Sequence, residues 1–183
     1  MVAKPKKSGE DILLADPTYP WEVFDGRLVE KPVMSIEHEY VAHELYDMLR
    51  DQLPKADYWV RQNFSRLRRT SRNYLIPDDV VIPLAERERD RSRWRELAIY
   101  DRPIPLVVEV WSPSTGSYDV TFKLAEYRRR GDLEIWFIHP LQRTLTIWRR
   151  RDDGEYDTEV VTSGIVRPFA LPDVEIDLDA LLA

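Results

Sequence analysis

The 183-residue sequence contains no cysteine. This absence excludes disulfide bonds, thiolate metal sites and cysteine nucleophiles, and it favours an intracellular, cytoplasmic protein. No apolar stretch approaches the roughly 18 residues that a membrane span requires, so no membrane association is expected. Residues 1–10 are basic but lack the apolar centre of a secretory signal, and we predict a disordered tail there. With no internal repeat, low-complexity segment or long linker, residues 11–183 are predicted to form a single domain.

Charge is unevenly distributed along the chain. The net charge of −6 is a weak argument against nucleic-acid binding. Residues 61–72, however, contain five arginines and no acid, and residues 123–151 contain eight lysines or arginines against three acids. Each run taken alone fits an ordinary solvated face. Together they also allow a basic surface within an acidic protein.

The order of predicted elements is typical of an α/β domain. Asp25-Gly26 predicts a hairpin turn between two short strands. Ser35 is a plausible N-cap for a helix that ends near Leu53, before Pro54. A second helix is predicted over 118–130, stopped by Gly131. Further strands are predicted over 58–68, 74–82, 104–111, 133–138, 144–150 and 155–161. This order predicts a mixed central sheet flanked by helices.

Two acidic positions in predicted strands carry the chemical argument. Glu109 lies within an apolar run typical of a buried strand, where a lone carboxylate is costly unless something pairs with it. Asp78 and Asp79 lie in an earlier strand, and because strand residues alternate, only one of them can face the same site. Carboxylates on neighbouring strands form a hard oxygen site for Mg²⁺ or Mn²⁺. Lys123, on the following helix, would then orient a water or stabilise a charged transition state.

Structural interpretations of the same residues remain open at this point. The two aspartates would mark a bent strand end, Glu109 would pair with an arginine, and Lys123 would be an exposed helix residue. The sequence also lacks an acid-X-lysine triplet, since Trp111 stands two residues after Glu109.

Four segments carry a family resemblance: WEVFDGRLVE, EHEYVAHELYDML, IPDDVVI and VVEVWSPSTGSYDVTFKLAEYRRRGDLEIWFIHP. Between about Tyr19 and Asp179 the chain resembles the Uma-type "putative restriction endonuclease" family, a bacterial group of the PD-(D/E)XK nuclease superfamily. The last of these four segments is specific to the family, whereas the shorter motifs are individually weak. The resemblance implies a restriction-endonuclease-like fold, a central mixed β-sheet flanked by α-helices, with a Mg²⁺-dependent nuclease site.

Matched residue by residue, the resemblance assigns the site. Asp78 and Glu109 fall on the family's metal ligands, the backbone carbonyl of Val110 is a further expected ligand, and Lys123 falls on the catalytic lysine. Four other residues match the pattern or share the helical face of Lys123, and they are accessory candidates: Glu22, His38, Asp119 and Tyr127.

The expected function is a Mg²⁺- or Mn²⁺-dependent endonuclease that hydrolyses DNA. The alternative is a non-catalytic nucleic-acid-binding or protein-assembly module of the same fold. A glycosidase with Asp78 and Glu109 as acid and base is disfavoured, because the lysine and the basic runs have no task in that reaction. A homodimer is expected, since two symmetric sites cut both strands of a duplex simply. Candidate phosphate contacts are Arg61, Arg66, Arg68 and Arg128.

Overall fold

The computed structural model describes residues 21–31, 34–70, 72–89, 99–113 and 119–183. The predicted tail, residues 1–10, lies outside the described residues. Within the described ranges, no helix is both long enough and apolar enough to cross a membrane.

The predicted hairpin at the start of the described chain is confirmed. Strands β1 (Trp21–Phe24) and β2 (Arg27–Glu30) pair antiparallel. Asp25 and Gly26 connect them with φ values of 46° and 77°. Two successive left-handed residues are what a tight two-residue hairpin turn requires, and Asp-Gly is a favoured pair for it.

The first long helix, α1 (Ile36–Gln52), begins and ends where the sequence predicts. The Ser35 side chain accepts a hydrogen bond from the backbone N–H of His38, at 3.2 Å, and so caps the first turn. The residues that α1 buries recur at helical spacing, so one face of the helix packs on the core: His38, Val41, Ala42, Leu45 and Leu49.

A six-stranded mixed sheet forms the centre of the protein, in the order β11-β10-β9-β8-β6-β3. Only β8 and β9 pair parallel, and the other neighbours are antiparallel. Its strands are β3 (Tyr58–Gln62), β6 (Asp79–Pro83), β8 (Leu106–Val110), β9 (Glu134–His139), β10 (Thr144–Arg150) and β11 (Tyr156–Val161).

A second, five-stranded sheet has the order β2-β1-β5-β4-β7. Its additional strands are β4 (Arg66–Thr70), β5 (Asn73–Leu75) and β7 (Ile99–Tyr100). The remaining elements are α2 (Leu84–Arg89), a π-helical turn (Asp119–Lys123), α3 (Leu124–Arg130), the paired strands β12 (Ile165–Val166) and β13 (Ile176–Asp177), and α4 (Leu178–Leu181).

Two strands that the sequence predicts as continuous are each divided between the two sheets. The segment 58–68 separates into β3 and β4, and the segment 74–82 into β5 and β6. Asn63, with a φ of 50°, breaks the first ladder. Its backbone N–H donates to the carbonyl of Asp78 at 2.7 Å, so the two breaks lie against each other. Asp78 therefore lies at the junction of the sheets, immediately before β6.

The core has one apolar cluster on each face of the six-stranded sheet. Val81 and Val108 belong to the cluster beneath α1, whereas Val80 and Val107 belong to the cluster facing the five-stranded sheet and α3. Neighbouring residues point to opposite faces, so the near-continuous apolar runs of β6 and β8 fit strands covered on both sides.

Candidate active site

Asp78 is fixed directly beside β8. Its backbone N–H donates to the carbonyl of Val108 at 3.1 Å, and its carboxylate Oδ2 accepts the backbone N–H of Val110 at 2.7 Å. The two bonds are to the residues on either side of Glu109, so the sheet junction places Asp78 next to Glu109.

The Asp78 carboxylate has two further polar neighbours. Lys31 Nζ donates to Oδ1 at 2.8 Å, and His38 Nε2 lies 2.9 Å from Oδ2. Burial by itself raises the pKa of Asp78. The charge of Lys31, the hydrogen bond with His38 and the charge of Lys123 outweigh burial and hold the pKa below its ordinary value. Asp78 is therefore an ionised carboxylate at neutral pH.

Glu109 is paired with a tyrosine and a lysine. The Tyr127 hydroxyl donates to Oε1 at 2.5 Å, and Lys123 Nζ donates to Oε2 at 3.2 Å. Lys123 ends the π-helical turn and Tyr127 lies four residues later in α3, so both side chains reach the same carboxylate. The cost of a carboxylate within an apolar strand is thus offset by a cation and a hydroxyl donor.

Lys123 also connects the two sheets. Its Nζ lies 3.1 Å from Oε1 of Glu22 on β1, in addition to its contact with Glu109. Glu22 Oε1 accepts the backbone N–H of Ile76 at 2.8 Å, which fixes the carboxylate at the junction. The ammonium group is therefore held between two carboxylates from different sheets.

Most of the predicted site residues converge. Asp78, Glu109 and Lys123 lie together and are 1%, 1% and 2% exposed. Of the accessory candidates, Glu22, His38 and Tyr127 contact one of these three. The backbone of Asp119 belongs to the π-helical turn, but its side chain lies outside the described part of the chain.

Asp79 lies away from this cluster, as strand alternation predicts for one of the two aspartates. It pairs in register with Val108, on the face that packs beneath α1. The side chain is fully buried, and neither carboxylate oxygen has a hydrogen-bond partner among the described residues. Burial, reinforced by the charge of Asp78, raises the pKa of Asp79 well above its ordinary value.

Lys31 contacts the predicted site, although the sequence analysis does not single it out. Its ammonium group donates to Asp78, to Oδ1 of Asn63 at 2.6 Å and to the carbonyl of Ile76 at 3.0 Å. A lysine directly after a short hairpin strand is typical of an exposed position. Only the fold of the junction brings it into the interior.

Of the predicted phosphate contacts, Arg61 and Arg128 are partly or fully exposed and rest on aromatic rings. The guanidinium of Arg61 lies 4.4 Å from the ring centroid of Trp59 and 4.7 Å from that of Phe64. Arg128 lies 5.3 Å from the centroid of Tyr156. Such stacking orders an arginine while its charge stays available at the surface.

The other two predicted contacts are less accessible. Arg66 is only 4% exposed, and burial lowers its pKa. Arg68 donates to the hydroxyl of Tyr74 at 3.2 Å and lies 3.8 Å from Asp101. A buried guanidinium cannot reach a phosphate without rearrangement, so Arg66 is poorly placed for the predicted role.

A groove of about 610 Å³ lies next to the Asp78 half of the site. Tyr40, Gln62 and Asn63 are among its walls. Asn63 also accepts from the Lys31 ammonium group that binds Asp78. Asn63 and Lys31 therefore connect the groove wall with the buried carboxylate.

The described residues contain no group of three or more histidine, aspartate or glutamate side chains arranged to hold a metal ion. A closed, protein-only metal cage is therefore not a feature of this part of the chain. Asp78 and Glu109 nevertheless supply the hard oxygen donors that Mg²⁺ takes, and Mg²⁺ commonly uses only one or two carboxylates and keeps water in its other positions.

Comparison with known proteins agrees with this fold. Residues 10–179 match the family described as Uma2, "Putative restriction endonuclease". The chain belongs to this family, as its sequence motifs indicate.

A solved structure shares the fold over nearly the full length of both chains. It is described as a putative nuclease of the DUF820 group from Anabaena variabilis, and it aligns with a TM-score of 0.78 at 18% identity. The alignment covers 97% of this chain and 98% of that one. The predicted α/β nuclease-like fold is thereby confirmed. No curated protein matches the sequence.

Proposed function

We propose that the protein is a divalent-metal-dependent endonuclease that hydrolyses phosphodiester bonds in DNA. The observation that carries this proposal is the meeting of three groups at the sheet junction. Lys123 Nζ lies 3.2 Å from Glu109, and its charge also lowers the pKa of Asp78. Two acids and one lysine in this arrangement are suited to phosphoryl chemistry.

The donor set fits a hard cation. Asp78 and Glu109 would hold Mg²⁺ or Mn²⁺, with the backbone carbonyl of Val110 as a further ligand. An ion bound there supplies charge neutralisation at the phosphodiester and a more acidic water. Within the chain itself, Val110 N–H and His38 hold one oxygen of Asp78, and Tyr127 holds one oxygen of Glu109. These contacts fix the carboxylates before substrate arrives.

Lys123 is the residue we assign to the attacking water or to the charge that develops on the phosphate. Its position between Glu22 and Glu109 keeps the ammonium group at the centre of the site. Asp119, one turn earlier, is proposed to orient this lysine or a bound water.

DNA contact is assigned to surface arginines and to the groove. Arg61 and Arg128 are the best-placed phosphate contacts, because ring stacking leaves their charge near solvent. Such contacts contribute affinity without sequence choice, and their effect falls as salt rises. We also propose a homodimer, whose two symmetric sites would face the two strands of a duplex. Sedimentation of the intact protein with and without DNA tests this part separately.

The decisive experiment is a cleavage assay on duplex DNA, single-stranded DNA and RNA with Mg²⁺, Mn²⁺ or EDTA. We expect cleavage of DNA that requires the metal and is lost in Asp78→Ala and Lys123→Ala. Lys55→Ala is a matched control, because Lys55 is exposed and follows the distant end of α1. Circular dichroism must show that all variants fold. Full activity in Lys123→Ala would remove this residue from the mechanism.

A non-catalytic DNA-binding module is the second candidate, and burial of the site favours it. Asp78, Glu109 and Lys123 are at most 2% exposed, and each acid already contacts a lysine of the chain. A binding module would retain DNA at low salt in EDTA and cut none of the substrates with any metal. That combination would replace the endonuclease proposal.

A further inference from the structure

Lys31 provides a second ammonium group in the site, and all three of its N–H donors are used. They contact Asp78 Oδ1 at 2.8 Å, Asn63 Oδ1 at 2.6 Å and the carbonyl of Ile76 at 3.0 Å. The side chain is 7% exposed. A buried lysine with three fixed acceptors is a localised charge with little freedom to move.

The carboxylate of Asp78 is nearly saturated by groups of the chain. An ionised carboxylate offers about four acceptor positions on its two oxygens. His38 and the N–H of Val110 occupy Oδ2, and Lys31 occupies one position on Oδ1. The acceptor position that remains is on the oxygen already bound by Lys31.

The other lysine of the site is placed differently. Lys123 is shared by two carboxylates, those of Glu22 and Glu109, at 3.1 and 3.2 Å. One positive charge between two acids leaves net negative charge there, which favours a cation. At Asp78, by contrast, a single lysine faces a single carboxylate.

Building on the proposed metal-dependent function, we propose that Lys31 is the counter-ion of Asp78 in the metal-free protein and competes with the divalent cation for that carboxylate. Two cations on one oxygen repel each other, and the repulsion is strong in a buried site. Lys31 thus acts as a positioning residue with two effects. It holds the Asp78 carboxylate in place without metal, and it weakens metal binding so that the site fills only at high metal concentration.

The test is calorimetric titration of Mn²⁺ and Mg²⁺ into the intact protein without DNA. Lys31→Met removes the charge but keeps most of the side-chain volume, and Lys31→Gln keeps a neutral hydrogen-bond donor. We expect either variant to bind metal at least tenfold more tightly than the wild type, because a neighbouring positive charge is gone. Lys55→Met, which removes one exposed positive charge, should change the affinity less than twofold. Asp78→Asn should abolish the binding.

A second readout separates this role from simple stabilisation. Without metal, Lys31→Met should melt at a lower temperature than the wild type, since Asp78 loses its counter-ion. With saturating Mn²⁺, its gain in melting temperature should exceed that of the wild type. If Lys31 were purely structural, Lys31→Met would melt at a lower temperature without metal but would gain no more from Mn²⁺ than the wild type does.

The outcomes distinguish the two proposals. If the wild type binds metal and the Lys31 variants bind no more tightly, the competition is refuted while the metal site stands. Should Lys31→Met not fold, Lys31→Gln decides the question. If the wild type and both variants bind neither metal, the metal-dependent function fails, and the competition fails with it.

Discussion

Two buried charged clusters in this protein use different cations and hold them differently. At the end of α3, Arg130 forms an ion pair with Asp132 and donates its remaining N–H groups to backbone carbonyls. At the sheet junction, Lys31 and Lys123 donate mainly to side-chain acceptors. The carbonyls bound by Arg130 belong to Arg68, Tyr100 and Arg102, at 2.6 to 2.8 Å.

This difference fits a structural role for Arg130 and the chemical role proposed for the lysines. The guanidinium fork matches several fixed acceptors at once, so Arg130 ties β4, β7 and the following loop to α3. The lysines are compact charges: Lys123 lies between two acids from different sheets, and Lys31 faces one acid. In the proposed function, a metal ion or substrate acts on the lysine contacts, whereas the Arg130 contacts stay in place.

The largest expected effect is loss of the arginine cluster. Arg130→Met leaves Asp132 buried without its cation and removes one donor from each of three carbonyls, so we expect the free energy of unfolding to fall by about 3–5 kcal/mol. Urea denaturation measures this change. Arg167→Met is the control, because its pair with Glu175 is exposed and is worth about 1 kcal/mol or less. Equal losses in the two variants would contradict a structural role for Arg130.

Next in size is the loss of catalysis in Lys123→Met. Removal of one electrostatic group from such a site lowers the rate of cleavage by about 10²–10³-fold. The free energy of unfolding should fall less than in Arg130→Met, because the lost contacts are to side chains, and carboxylates can take up protons in compensation. Initial cleavage rates beside urea denaturation give both quantities. If Lys123→Met were as unstable as Arg130→Met, Lys123 would have a structural role instead.

Asp79 extends the comparison to a buried acid that has no cation as partner among the described residues. Replacing it with valine, as in Asp79→Val, removes two buried oxygens that lack partners among the described residues. We expect the free energy of unfolding to rise by about 1–3 kcal/mol. The matched control is Asp157→Val on the exposed edge strand β11, which should not stabilise. A less stable Asp79→Val protein would show that the carboxyl group has a partner or ligand in solution.

The smallest expected effect is a difference in pH dependence between Asp78 and Asp132. The pKa of Asp78 is lowered, so its contribution to stability is present above about pH 4, the ordinary value for an aspartate, and is lost as pH falls below it. The pKa of Asp132 is raised, because burial outweighs the charge of Arg130. Its contribution is therefore greatest below about pH 4 and decreases as pH rises.

Single variants test the sign of each contribution. Asp78→Asn should flatten the loss of stability on acidification, whereas Asp132→Asn should flatten the decrease on the alkaline side of about pH 4. Each slope is limited to about 1.4 kcal/mol per pH unit for one group. Denaturant midpoints measured between about pH 3 and 8 give the pH dependence of stability for each variant. If both variants changed the slope of stability against pH in the same direction relative to the wild type, the opposite pKa shifts of Asp78 and Asp132 would be contradicted.

Local patterns predicted much of the fold and the centre of the site. The Asp-Gly hairpin, the Ser35 cap and the ends of α1 follow from short-range rules and are confirmed. Glu109 stood out because a carboxylate is costly in an apolar strand, and Asp78 because it lies in a second acidic strand. The family resemblance then assigned Asp78, Glu109 and Lys123 to the site, and Tyr127 was added because it shares the helical face of Lys123. Their roles in catalysis remain predictions.

The division of strands could not be predicted in the same way. Each of the segments 58–68 and 74–82 was predicted as one strand, and a strand pattern does not indicate to which sheet each half of the segment belongs. Asn63 supplied a local signal for the first break, since asparagine tolerates a left-handed backbone.

The amino-acid sequence by itself determined the elements, the apolar faces and the acids that require a partner, because these depend on neighbours within a few residues. Only the tertiary structure decided which cation each acid receives. Lys31 and Asp78 are 47 residues apart and Lys123 meets Glu22 from another sheet. Contacts between such distant residues arise from the packing of two sheets, and no local pattern in the chain encodes them.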